Sequence, residues 1–239
     1  LYYNIKAMGN QGGDFLVYVK LKRQMSDSMK TALFIILSGG FQDAYTYICR
    51  GEVFANAQTG NIVLMSTHFF SREWGEALRY LIPVLSFLLG TCVAELIHRK
   101  FKAYEKIHWR QIVLIIEMIL LTCVGFMPHS LDAAANALVS FVCALQVQSF
   151  HKVRGHAYAS TMCIGNMRVG TESLIAYFHT RDKAALSKSA VYFSVILLFA
   201  VGAGVGGVIT MKMGTSAIFI STFLLLISFI MMFIHDKEL

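Results

Sequence analysis

The chain has 239 residues, 56% of them hydrophobic and 15% charged, with a net charge of +7 and a mean hydropathy of +0.58. Soluble domains carry about 25% charged residues, so this balance excludes an ordinary water-soluble domain and points to a bilayer. The Lys and Arg stand in short clusters between apolar runs, as in the cytoplasmic loops of membrane proteins, which excludes nucleic-acid binding as the meaning of the positive charge.

Residues 1–28 form a polar segment without the apolar core of a signal peptide or a strong period. The segment is expected to lie upstream of the true start, with Met25 or Met29 as candidate starts. Residues 29–239 read as a single transmembrane domain. Eight apolar stretches follow in order, at about 31–49, 56–70, 77–97, 111–127, 133–150, 157–178, 189–211 and 214–234. Several fall short of the ~20 residues a spanning helix needs. The short ones come as two adjacent pairs, 31–49 with 56–70 and 133–150 with 157–178, each split by a polar joint containing Gly51 or Gly155.

The two joints resemble each other at an offset of 104 or 105 residues. Gln42 matches Gln146, Arg50 matches Arg154, Gly51 matches Gly155, Ala55 matches Ala159, and Gly60-Asn61 match Gly165-Asn166. Further on, Gly90 in Phe87-Leu-Leu-Gly90 resembles Gly202 in Phe199-Ala-Val-Gly202. The series predicts two repeats, about 31–127 and 133–234. Lys and Arg concentrate before residue 31, between Arg99 and Arg110, and between Arg181 and Lys188. All three clusters fall on the cytoplasmic side if each broken pair makes one net crossing. The predicted fold is therefore an all-α integral membrane protein of about six crossings, in two repeated halves that each open with a broken helix pair. Three crossings per half inverts the second half relative to the first, a recurring transporter architecture. The N-terminus is cytoplasmic.

Asp43 is the most informative residue, because an acidic group at the bilayer centre costs about 2.5 to 3.5 kcal/mol on insertion scales. It either binds a cation, a proton or the polar part of a solute, or pairs with Arg50 or Arg154 to lock helices together. Gln42, Gln146 and Gln148 join it in a predicted polar cluster at the repeat interface. Asn56, Gln58, Thr59 and Asn61 place amide and hydroxyl groups beside Gly60, and Asn166 stands at the position equivalent to Asn61. These groups either ligate a solute or bond helix to helix. Arg168 is a further candidate, although its spacing to Glu172 suits an i, i+4 ion pair. Glu117 lies deep in its apolar stretch.

Gly202-x-x-x-Gly206 predicts a close-packing face that serves either an internal contact or a homodimer. Cys49, Cys92, Cys123, Cys143 and Cys163 show no C-x-x-C spacing, and the His residues show no metal pattern, so neither metal nor cofactor is expected.

At Gly39-Gly40-Phe41-Gln42-Asp43-Ala44, Gly51-x-Val53-Phe54 and Thr59-Gly60-Asn61, the chain resembles the YoaK-like family of bacterial membrane proteins of unknown function. The resemblance covers about residues 31–234. Ile164 stands where a Thr would complete the second motif. The family implies a multi-pass location in the bacterial cytoplasmic membrane and no assigned reaction. The leading functional expectation is a secondary transporter or exporter of a small polar or amphipathic solute or ion, with the lipid bilayer as its other partner. The alternative is a non-transporting scaffold or sensor. An intramembrane enzyme is disfavoured because no G-x-S-G, H-E-x-x-H or paired Asp motif occurs.

Overall fold

The computed structural model describes residues 2–8, 14–20, 28–101, 109–153 and 156–233. Arg154, Gly155, Lys102 and Lys106 fall outside the described residues. Eight α-helices among the described residues coincide with the eight apolar stretches. They are α1 (Met29–Cys49), α2 (Gln58–Phe70), α3 (Trp74–Phe101), α4 (Trp109–Gly125), α5 (Asp132–Ser149), α6 (Cys163–Thr180), α7 (Lys183–Met213) and α8 (Ile218–Phe233). Trp74–Phe101, His129–Ser149 and Lys183–Phe233 are long and apolar enough to cross a membrane, and the chain is a helical membrane protein.

The N-terminal segment departs from its reading as polar chain without a period. Strands β1 (Tyr2–Met8) and β2 (Asp14–Lys20) pair antiparallel, with Tyr2 opposite Lys20 and Met8 opposite Asp14. Lys6 and Lys20 interrupt runs rich in β-branched and aromatic residues, and these runs carry the β propensity.

Helix α1 starts at Ser28, whose hydroxyl accepts the Lys30 amide at 3.1 Å. It ends where Gly51 adopts φ +82° and the Glu52 amide reaches back to the Tyr47 carbonyl at 3.0 Å, a Schellman closure. At this end the Arg79 guanidinium of α3 donates to the Gly51 carbonyl, and the Tyr45 hydroxyl donates to the Thr215 carbonyl between α7 and α8 at 3.1 Å. At the other end the Ser228 hydroxyl of α8 donates to the Thr31 carbonyl of α1, and Arg110 of α4 donates to the Ser149 carbonyl of α5. Helices α1, α3, α4, α5, α7 and α8 therefore run alternately between two ends of one bundle.

Helices α2 and α6 begin halfway. After α1 the chain doubles back until the Asn56 side chain donates to the Gly39 carbonyl at 3.2 Å. Gly39 lies ten residues before the end of α1, so the chain has returned about 15 Å along that helix. The second joint forms a minimal hairpin, with β3 (Lys152–Val153) antiparallel to β4 (His156–Ala157). It then returns to place Thr161 against Gly39 from the other side.

The helix contacts come in exchangeable pairs. Helix α1 packs on α7 as α3 packs on α5, α2 on α3 as α6 on α7, and α1 on α8 as α4 on α5, while α4 meets α8 directly. A Cβ on Gly202 would overlap the Leu37 carbonyl oxygen, and one on Gly90 would overlap the Phe141 carbonyl oxygen. Leu37 and Phe141 are 104 residues apart, so both glycines meet the same point of their partner helices. The buried positions Leu114, Glu117, Leu121 and Val124 of α4 recur at that offset as Ile218, Ser221, Leu225 and Ser228 of α8.

Gly206 meets the Phe41 backbone, as Gly202 meets Leu37. This face, which suited either an internal contact or a homodimer, packs on α1 of the same chain, because only glycine lets the two backbones approach this closely. Gly204 has open space beside it. Gly202→Val is expected to lower stability by about 1–3 kcal/mol through overpacking, and Gly204→Val to change it by less than about 0.5 kcal/mol. Thermal unfolding of the detergent-purified variants measures both.

Candidate functional site

The two returning joints meet on the middle of α1. Gly39 carries the meeting point: its carbonyl accepts from Asn56, while Thr161 and the Gln146 amide crowd the place where a side chain would stand. One turn on, the Asp43 carboxylate accepts the Asn56 backbone amide at 2.7 Å. The joint that precedes α2 thus gives the acid a backbone donor in a buried place. The carboxylate is buried, with Asp43 only 8% exposed.

Two buried amide oxygens, Asn56 Oδ1 and Gln146 Oε1, are acceptors with no hydrogen-bond partner among the described residues. Gln146 spends its amide nitrogen on the Ile35 carbonyl at 2.9 Å. A solute that brings N–H or O–H donors satisfies these atoms, whereas one that brings only acceptors leaves them unpaired.

The other predicted residues divide by what they touch. Gln42 is saturated: its nitrogen donates to Ser38 and Ser221 at 3.0 Å each, and its oxygen accepts the Cys143 thiol at 3.0 Å. It ties α1 to α8 and α5. Asn61 donates to the Phe54 carbonyl and Asn166 to the Ala159 carbonyl, both at 2.7 Å and both seven residues back. These two asparagines hold the returning joints to the first turns of α2 and α6. Gln58 donates to the Ala55 carbonyl and accepts from Asn61, while Thr59 lies exposed at the start of α2.

Three candidates lie elsewhere. Gln148 donates to Glu95 on α3 at 3.3 Å, near the far end of the bundle. Arg168 pairs with Glu172 at 3.2 Å on the exposed side of α6, the i, i+4 pairing its spacing suggested. Arg50 does not pair with Asp43. Completely buried, it bonds Asp132 at 2.7 Å, the Tyr45 hydroxyl at 2.9 Å, and the Val124, Met127 and Pro128 carbonyls at the end of α4. Its five donors match that ring of acceptors, a pairing that sequence spacing could not supply because four of the five partners lie 74 to 82 positions away. Arg154 lies outside the described residues. Cys143, Thr161 and Ser221 were not singled out from the sequence, since small polar residues in apolar helices carry little signal.

Arg50→Ala is expected to cost about 3 kcal/mol by leaving the α4 carbonyls and Asp132 without their donor. Arg50→Lys should fail to restore it, because an ammonium cannot reproduce the guanidinium fork. Denaturation of the purified variants measures the loss, and wild-type stability in Arg50→Ala would remove the structural role.

The family described as "Protein of unknown function (DUF1275)" matches residues 31–231. No curated protein and no solved structure matches the chain.

Proposed function

The chain belongs to the DUF1275 family of proteins of unknown function, and from that premise we propose that it is a secondary transporter or exporter of a small donor-bearing solute, held by Asp43 where the two helix breaks meet. The observation that carries the reading is the buried Asp43 carboxylate bonded to the returning joint at Asn56, with unpartnered buried amide oxygens on Asn56 and on Gln146, whose amide packs on Gly39 one turn away. Irregular backbone at membrane depth is tolerated where it is buried in protein or lines a cavity. Broken helices that converge from opposite ends are how transporters build such places.

The same reading makes α1, α3, α4, α5, α7 and α8 the six crossings and α2 and α6 re-entrant half-helices. The paired contacts and the 104-residue recurrence of buried positions support two inverted repeats. The basic clusters then set the N-terminus on the cytoplasmic side of a bacterial inner membrane. The likeness to the YoaK-like proteins over residues 31–234 accords with a family match over residues 31–231. No catalysed reaction is assigned.

A non-transporting scaffold or sensor is the second reading, favoured by Gln42, Asn61 and Asn166, whose hydrogen bonds go to the protein itself. The test is thermal stabilisation of the purified protein against a panel of small amines, amino acids, sugars and cations, with Asp43→Asn alongside. A ligand at 100 times its Kd should add about 2.7 kcal/mol to the wild type and nothing to a folded Asp43→Asn. Equal stabilisation of both proteins would remove Asp43 from the site, and no stabilisation by any compound across pH would favour the scaffold.

A further inference from the structure

The second carboxyl inside the bundle belongs to Glu117 on α4. It is fully buried, and neither oxygen has a hydrogen-bond partner among the described residues. Its counterpart 104 residues on is Ser221, and the counterpart of Gln42 is Gln146. In one half, Gln42 donates to Ser221 at 3.0 Å, a bond that joins α1 to α8. The corresponding places on α5 and α4 hold Gln146 and Glu117. There the Gln146 nitrogen is spent on the Ile35 carbonyl, and three oxygens, Gln146 Oε1 and both of Glu117, remain unpaired.

Three acceptors without a donor are costly in a buried setting. A proton on Glu117 converts one acceptor into a donor. A metal cation is a poorer answer, because hard cations take six or more oxygens and no group of three or more His, Cys, Asp or Glu is gathered anywhere among the described residues.

We propose that Glu117, a carboxyl distinct from Asp43, is an exchangeable proton site, and that its proton couples the transporter to the proton gradient. In the loaded form the carboxyl holds the proton on one oxygen. In the released form the proton passes to water on the opposite side, and the carboxylate takes another from the first side. The coupling role rests on the transporter reading, but the proton site itself does not. Helix α5 presents Cys143 to it, a thiol within electrostatic range of both Glu117 and Asp43 on α1. Helix α8 has no titratable side chain between Ile218 and Phe233. Helix α3 carries Cys92 mid-helix. Glu76 lies in its first turn and His98, Arg99 and Lys100 in its last, with Arg79 and Glu95 within two turns of its ends, and on α4 itself Arg110 stands in the first turn and Cys123 about two turns beyond Glu117.

The experiment is infrared spectroscopy of the full chain in lipid, titrated between about pH 5 and pH 9, with protons as the only ligand. A protonated-carboxyl C=O band is expected that fades reversibly as pH rises, is lost in Glu117→Gln, shifts in frequency in Glu117→Asp, and persists in Asp43→Asn. Should Glu117→Gln fail to fold, the shift in Glu117→Asp carries the assignment. A band in the wild type that never responds to pH, or the same band in Glu117→Gln, overturns the proposal. Loss of the band on adding sodium at constant pH also overturns it, in favour of a cation site. A titrating Glu117 in a protein that binds no solute through Asp43 would keep the proton site and discard the solute reading.

Discussion

Backbone that leaves a helix inside a packed bundle must find its hydrogen bonds within the protein, and this constraint organises the two joints. Two asparagines meet it in the same way. Asn61 and Asn166 each reach seven residues back to a carbonyl of the returning joint, at 2.7 Å. Asn56 meets it a third time by bridging its joint to Gly39 and Asp43. Without these bonds neither half-helix could begin in mid-bundle, and the carboxylate would have no amide beside it.

Close helix packing supplies the frame for those joints. Gly202 and Gly206 let α7 lie directly on α1, and Gly90 lets α3 lie on α5. Lipid offers no hydrophobic drive between helices, so contact of this kind carries much of the association. At the end of α1, Arg50 gathers the last carbonyls of α4 and the first turn of α5 into one charged cap. A guanidinium in that position holds three helix ends in register.

Positions 104 residues apart meet similar packing with different side chains. Asp43 and Glu117 both come from the first half, and their counterparts in the second are Val147 and Ser221. The Gln42–Ser221 pair closes its side with complete hydrogen bonding, while Gln146 and Glu117 leave theirs open. The bundle thus has a saturated side and a side with acceptors to spare.

The sequence by itself determined the eight helices, the places where two of them break, and the small-residue faces, because hydropathy, glycine spacing and charge distribution act locally along the chain. It also marked Asp43 and the asparagines as residues that need partners in an apolar setting. Which partners they take was decided only by the tertiary structure. Arg50 finds carbonyls and an acid 74 to 82 residues away instead of Asp43, Gln148 turns to α3, and the Gly202 face is filled from within the chain. Hydrogen bonds and backbone contacts are satisfied by whatever packing brings within about 3 Å, and sequence spacing encodes that distance along a helix but not across the bundle.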